Sequence, residues 1–148
     1  MNALEDISIV GFDIHTPVSG AGTVEIYHKL GDYIGFETNS GAWTQIMNGP
    51  MEAMGVNVPT ELDFLSNPVS LSANEVHSFY IFSSLGVRYT NGVTEGNLYT
   101  ASPELEFFEG KGSGGLFSTA IYTPRIWNGR IHYGLKPTVV APGTSVSL

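Results

Sequence analysis

Apolar residues recur along this chain at every second position, in short bursts. Thr23-Val-Glu-Ile-Tyr-His-Lys-Leu30 puts Val24, Ile26, His28 and Leu30 on one face and Thr23, Glu25, Tyr27 and Lys29 on the other, the period of a half-buried strand. Residues 7–14, 43–47, 75–83, 87–90, 104–109, 125–127 and 130–133 follow the same pattern. Each is short, rich in β-branched or aromatic residues, and bounded by Gly, Pro, Asn or Ser. Gly and Pro interrupt every candidate helical stripe. The pattern predicts an all-β fold, a single antiparallel β-sandwich of jelly-roll or Ig-like topology with about eight strands. Residues 48–65 read as loop, and "GKGSGG" around Lys111 as a flexible connection between strands. Residues 1–136 form the expected domain. Residues 137–148 are uncharged apart from any chain terminus and prone to β structure, and they read as a tail or an added strand.

Two Asn-Gly pairs sharpen the expectation, because a two-residue type I′ hairpin turn needs positive φ at both central positions. Across Asn128-Gly129 the predicted register sets Trp127 opposite Arg130, Ile126 opposite Ile131, Arg125 opposite His132 and Pro124 opposite Tyr133. Alternation then gathers Pro124, Ile126, Ile131 and Tyr133 on a core face. Arg125, Trp127, Arg130 and His132 form a cationic and aromatic outer face, a structural cation–π stack or a ligand-facing patch. Across Asn91-Gly92 the same logic sets Arg88 opposite Glu95 and Tyr89 opposite Thr94, which adds Arg88 and Tyr89 to the candidate ligand-binding residues.

Composition narrows the functional classes. The 148 residues are 42% hydrophobic and 14% charged, enough for one domain with a real core. Net charge is −8 and Lys plus Arg number six, which argues against a nucleic-acid partner. No apolar run approaches the roughly 18 residues of a membrane helix, and Met1 is followed by no basic then apolar leader, so neither membrane insertion nor a signal peptide is expected. With no cysteine there is no disulfide, thiolate metal site or thiol nucleophile. The four histidines fall on separate strand candidates without chelating spacing. Glu104 and Glu106 share a strand face, and Asp32, Glu37 and Asn39 form a polar loop compatible with calcium but without the EF-hand order. No nucleophile elbow or phosphate-binding loop is present. The expectation is a protein with no cofactor, no metal and no catalytic residue.

The succession "GFDIHTP", "VEIYHKLGDYIGFETNSGAW", "VRYTNG", "EGKG" and "PRIWNGRIHYG" resembles a β-sandwich domain that recurs in secreted and surface multidomain proteins of bacteria and in proteins of diatoms and other marine protists. The likeness spans residues 7–133 and is most specific at Pro124, Arg125, Trp127, Asn128, Gly129 and Tyr133. It implies an accessory, adhesive or structural module and carries over no catalytic residue. Residues 48–68 depart from it, and the strand it leads one to expect ahead of "NALEDISI" is missing. The strand at 7–14 is therefore expected to show a bare edge, for which the tail, from this chain or a neighbouring copy, is the candidate partner.

Two functions follow as expectations. The first is a non-enzymatic structural or adhesive module of a cell-surface, extracellular or virion-type assembly that acts through self-association or contacts with neighbouring subunits. The second is a carbohydrate-binding module whose Trp127, Trp43 and Tyr33 offer platforms to a polysaccharide and whose arginines favour an acidic glycan.

Overall fold

The computed structural model describes residues 1–136. They form thirteen strands: β1 (Asn2–Ala3), β2 (Ile7–Ile14), β3 (Ser19–Leu30), β4 (Thr44–Met54), β5 (Thr60–Asp63), β6 (Val69–Leu71), β7 (His77–Ser83), β8 (Tyr89–Asn91), β9 (Leu98–Ala101), β10 (Leu105–Phe108), β11 (Gly110–Ser113), β12 (Ile121–Trp127) and β13 (Gly129–Leu135). A single 3₁₀ turn, Ser40–Ala42, precedes β4. The fold is all-β and antiparallel, as the alternation predicts, with thirteen strands rather than about eight.

Hydrogen bonding divides the strands among four sheets: β1-β10-β9, β11-β12-β8, β4-β3-β7, and β13-β2-β5 with β6 also on β2. β2 lies at the centre of the last. Its length pairs with β13 on one side, while β6 takes Ile7–Ile9 and β5 takes Gly11–Ile14 on the other. The bare edge expected for residues 7–14 is therefore absent. The tail proposed to cover it, residues 137–148, lies outside the described residues.

The core is built on β2. Ile7, Ile9, Phe12 and Ile14 are fully buried, with Val24 and Ile26 from β3, Leu62 from β5 and Leu71 from β6 around them. The Phe12 ring lies 5.4 Å from Phe64, 5.2 Å from Phe79 and 5.5 Å from Trp127, the last two edge to face. That geometry suits the aromatic quadrupole and adds to the burial of the rings themselves. Gly11 has a steric reason to lack a side chain, since a Cβ there would sit 2.8 Å from the carbonyl oxygen of Leu62.

Two segments read as loop are strand. β4 runs on to Met54 and pairs with β3 through Gly49↔Val24 and Pro50↔Thr23. Pro50 is tolerated because β4 is an edge strand, where a missing N–H can face outward. "GKGS" is β11, whose glycines give no alternation to read.

The main correction concerns Asn128-Gly129. β12 and β13 do not pair. β12 lies between β11 and β8, whereas β13 runs along β2, so the chain changes sheet at Asn128. Neither Asn128 nor Gly129 has the positive φ that a type I′ turn requires. The physical reason is the indole beside them: Trp127 turns inward onto Phe12 and Phe107. Gly129 passes so close that a Cβ would fall 2.2 Å from Trp127 Cζ2 and 2.3 Å from the Asp13 carbonyl oxygen.

Candidate functional site

β7 ends its sheet on one side, and β11 ends the adjacent sheet. Between them opens a cleft of about 330 Å³. Successive residues of both strands line it, Ser78–Ser83 and Gly110–Ser113, so the cleft follows two strand edges rather than two sheet faces. Its aromatic lining includes Phe79, Phe107 and Trp127, with the buried Phe12 behind them, and Tyr89 of β8 and Arg125 of β12 also line it. The loop after β11 is fastened to β7 by the Tyr80 hydroxyl, which donates to the Gly115 carbonyl at 2.9 Å and accepts from the Phe117 N–H at 2.9 Å.

Four of the six sequence candidates meet here: Arg88, Tyr89, Arg125 and Trp127 all line the cleft. Tyr89 and Trp127 are register partners across β8 and β12. The Arg125 guanidinium lies 5.1 Å from the Tyr89 ring centre and 5.8 Å from that of Tyr122, and its NH1 donates to the Pro124 carbonyl at 2.9 Å. Two buried donors, Arg125 Nε and Trp127 Nε1, meet no acceptor among the described residues. Such a donor costs about 1–3 kcal/mol of lost solvation unless something outside satisfies it.

The other two candidates are elsewhere. Arg130 and His132 stand on β13 and turn to Asp13 of β2: His132 Nε2 lies 2.7 Å from Asp13 Oδ1, and Arg130 NH1 lies 3.5 Å from Oδ2. Asp13 is 5% exposed, and these contacts give its buried carboxylate hydrogen-bonding and ionic partners. The outer face of a hairpin, with Trp127 against Arg130 and Arg125 against His132, does not exist.

Asn91-Gly92 is also not a tight hairpin. Glu109 is buried, and its carboxylate accepts the N–H groups of Val93 at 2.6 Å and Thr94 at 2.9 Å, which shapes the turn from within. Glu95, expected opposite Arg88, instead accepts from the Tyr33 hydroxyl at 3.0 Å and the Thr123 hydroxyl at 2.8 Å, and lies 3.2 Å from Lys111 Nζ. Lys111 also pairs closely with Glu37. Burial raises Glu37, but the hydrogen bond and charge of Lys111 outweigh it and hold the carboxyl below its ordinary value. Lys111 is raised chiefly by the same hydrogen bond. Burial, then the Glu95 hydrogen bond, drives Tyr33 upward. Sequence reasoning missed this network because its members come from four separate segments. The glycines around Lys111 were the available signal, since they let a charged side chain lie close to the backbone.

The calcium-compatible loop does not converge. Asp32 accepts the Ile34 N–H, Asn39 accepts the Gly41 N–H, and Glu37 turns to Lys111. Among the described residues no three His, Asp or Glu side chains group as a metal site would need. Trp43 is 8% exposed and gives its indole N–H to the Phe36 carbonyl, so it offers no open platform. Trp127 is a wall as well: it and Phe107 also border a second hollow of about 230 Å³, lined by Tyr99, Ser102, Ile131 and Tyr133.

Two histidines far apart in sequence are brought together. His28 Nε2 lies 2.6 Å from His77 Nδ1, and His77 Nε2 lies 3.0 Å from Glu75. Burial, reinforced by the neighbouring His77, pushes His28 down to about 4. Glu75 is held below its ordinary value first by the Ser72 N–H and then by His77.

Fold and cleft together define an all-β domain with an aromatic cleft between two strand edges. No family model matches the chain, and comparison with curated proteins and with solved structures also returns no match.

Proposed function

We propose that this chain is a non-enzymatic structural module of a cell-surface, extracellular or virion-type assembly that acts through protein–protein contacts. Its working surface is the cleft between β7 and β11, which receives an extended strand of a neighbouring subunit. The observation that carries this reading is the pair of strand edges, each hydrogen-bonded on one side only among the described residues, bordering one aromatic-lined cleft. An unpaired edge presents N–H and C=O groups that recruit another strand. Main-chain hydrogen bonds then supply affinity, and alternate side chains find the wall or the solvent. The resemblance to modules of bacterial surface proteins points the same way.

Glycan binding is the weaker reading on this geometry, because Trp127 packs edge to face on Phe12 and Trp43 is buried, so neither tryptophan offers a sugar an open ring face.

Hydrogen exchange with a seated peptide tests the proposal. An acetylated and amidated eight-residue peptide of alternating Val and Ser is expected to slow exchange in residues 78–83 and 110–113 together. Protection confined to another edge strand, such as β4 or β9, would relocate the contact. Unchanged exchange at millimolar peptide would remove the strand-receiving role.

A further inference from the structure

Resting on that reading, we infer that the strand received in the β7–β11 cleft is acidic, and that Arg125, assisted by Arg88, recognises a carboxylate on it. The argument begins with how the chain spends its cations. Six Lys and Arg stand against fourteen Asp and Glu, so a cation has acidic neighbours to choose from. Lys111 pairs with Glu37 and Glu95, and Arg130 pairs with Asp13. Lys29 lies over the Phe36 ring and donates to the Leu30 carbonyl, and Lys136 follows β13, away from the cleft lining. Arg88 and Arg125 have no carboxylate within ion-pair distance among the described residues, and both line the same cleft.

The surroundings of Arg125 hold its head in place without neutralising it. The guanidinium lies beside the rings of Tyr89 and Tyr122, which attract a cation without taking its hydrogen bonds. NH1 is engaged by the Pro124 carbonyl, while Nε is buried and without an acceptor. What selects an anion is the combination of an unmet donor with two unneutralised positive charges. The acidic groups nearest by chain connection, Glu95 and Glu109, are already committed to Lys111, Tyr33 and Thr123, or to the Val93 and Thr94 amides. On this side of Arg125 the stem faces Gly112 of β11: a Cβ at Gly112 would lie 3.5 Å from Arg125 Cγ and 3.7 Å from Tyr89 Cε1. The glycine there gives the Arg125 stem room on the face of β11, whose outer edge has no strand partner among the described residues. A strand seated on β11 would bring its own side chains to the cation there.

A carboxylate suits this site better than a neutral amide because a charge-assisted hydrogen bond to guanidinium is roughly twice as strong as a neutral one. It also relieves two like charges facing the same cleft. Uncharged residues 138–141 and 144–148 are by this argument poorer donors than a strand carrying Asp or Glu.

The test compares two eight-residue peptides of alternating Val and Ser, acetylated and amidated, that differ only in a central Glu or Gln, titrated by calorimetry at low salt with hydrogen exchange as the footprint. The expected result is about tenfold tighter binding of the Glu peptide, a preference that shrinks as salt is raised and disappears in Arg125→Met, with partial retention in Arg125→Lys. Melting curves establish that both variants fold. Equal affinity for the two peptides, with residues 78–83 and 110–113 protected by each, overturns the carboxylate assignment and leaves the strand-receiving role standing. A Glu preference that survives both Arg125→Met and Arg88→Met overturns the assignment to these arginines. If neither peptide protects the two edges while a trigalacturonate does, both the acidic strand and the strand-receiving role fall, and the cleft is an acidic-glycan site.

Discussion

The sheet around β2 and the sheet around β12 contrast two ways of using a central strand. β2 has neighbours along its whole length on both sides, and four of its side chains are fully buried. β12 is also central, but only Ile126 of its seven residues is buried, and its flanking strands β8 and β11 are short edges. The first is organised by apolar packing, the second by glycines, aromatic–cation contacts and a charged network. The difference teaches where the molecule is held: stability resides around the strand whose two sides are filled along its length, while the strands flanking β12 are short and little buried, which is where the proposed contact falls.

The largest expected effect comes from the β2 side. Phe12→Ala removes the ring shared by Phe64, Phe79 and Trp127 and should cost about 3–5 kcal/mol, read as a lowered urea midpoint. A loss under about 1 kcal/mol would mean that the core is centred elsewhere.

Next is the corner that joins the two regions. Gly129→Ala places a methyl against the indole and the Asp13 carbonyl and should cost about 1–3 kcal/mol, with a blue or red shift of Trp127 emission. A stability loss without any emission change would indicate backbone strain alone, and would restore the hairpin turn as the explanation.

Acid should weaken the fold through His28. In the unfolded chain an imidazole titrates near 6.5, whereas in the fold burial keeps it neutral down to about 4. Between those values the unfolded state binds a proton that the folded state refuses, so stability falls as pH drops from about 6.5 to about 4. Urea midpoints at pH 7 and 4.5 should converge in His28→Gln. An undiminished difference would assign the acid sensitivity to other groups.

The smallest effect is expected in the cleft. Arg125→Met removes a buried donor that has no acceptor, and its thermal midpoint should correspond to a change within about 0.5 kcal/mol. A loss of several kcal/mol would make Arg125 a structural member of the second sheet and erase the contrast with β2.

Strand positions were largely legible in the sequence because alternation is a local property. Ile7–Ile14 is a strand over the same residues, and the Thr23–Leu30 alternation falls within the longer β3. Strand partners were not. Asn128-Gly129 carries the local chemistry of a tight turn, but the choice between hairpin and sheet change depends on where the Trp127 ring can be buried, and that is set by Phe12, over a hundred residues earlier. The same limit explains the site. Arg88, Tyr89, Arg125 and Trp127 were singled out for their chemistry and do converge, whereas Arg130 and His132, placed beside them by an assumed register, belong to Asp13. Short β6 and β9 escaped notice because three or four residues give too few alternations to register.

The β2–β13 ladder has a mechanical consequence. Its pairing begins at Ile7↔Leu135 and ends at Ile14↔Gly129, and the Lys136 N–H donates to the Asp6 carbonyl at 2.9 Å, so the outer ends of both strands meet at one corner. Tension drawn through Asp6 and Lys136 therefore loads one rung at a time and peels the ladder open like a zip, instead of shearing all its rungs together. The proposed attachment differs in kind: a strand clamped lengthwise between β7 and β11 would be dragged in shear, with every one of its rungs resisting at once.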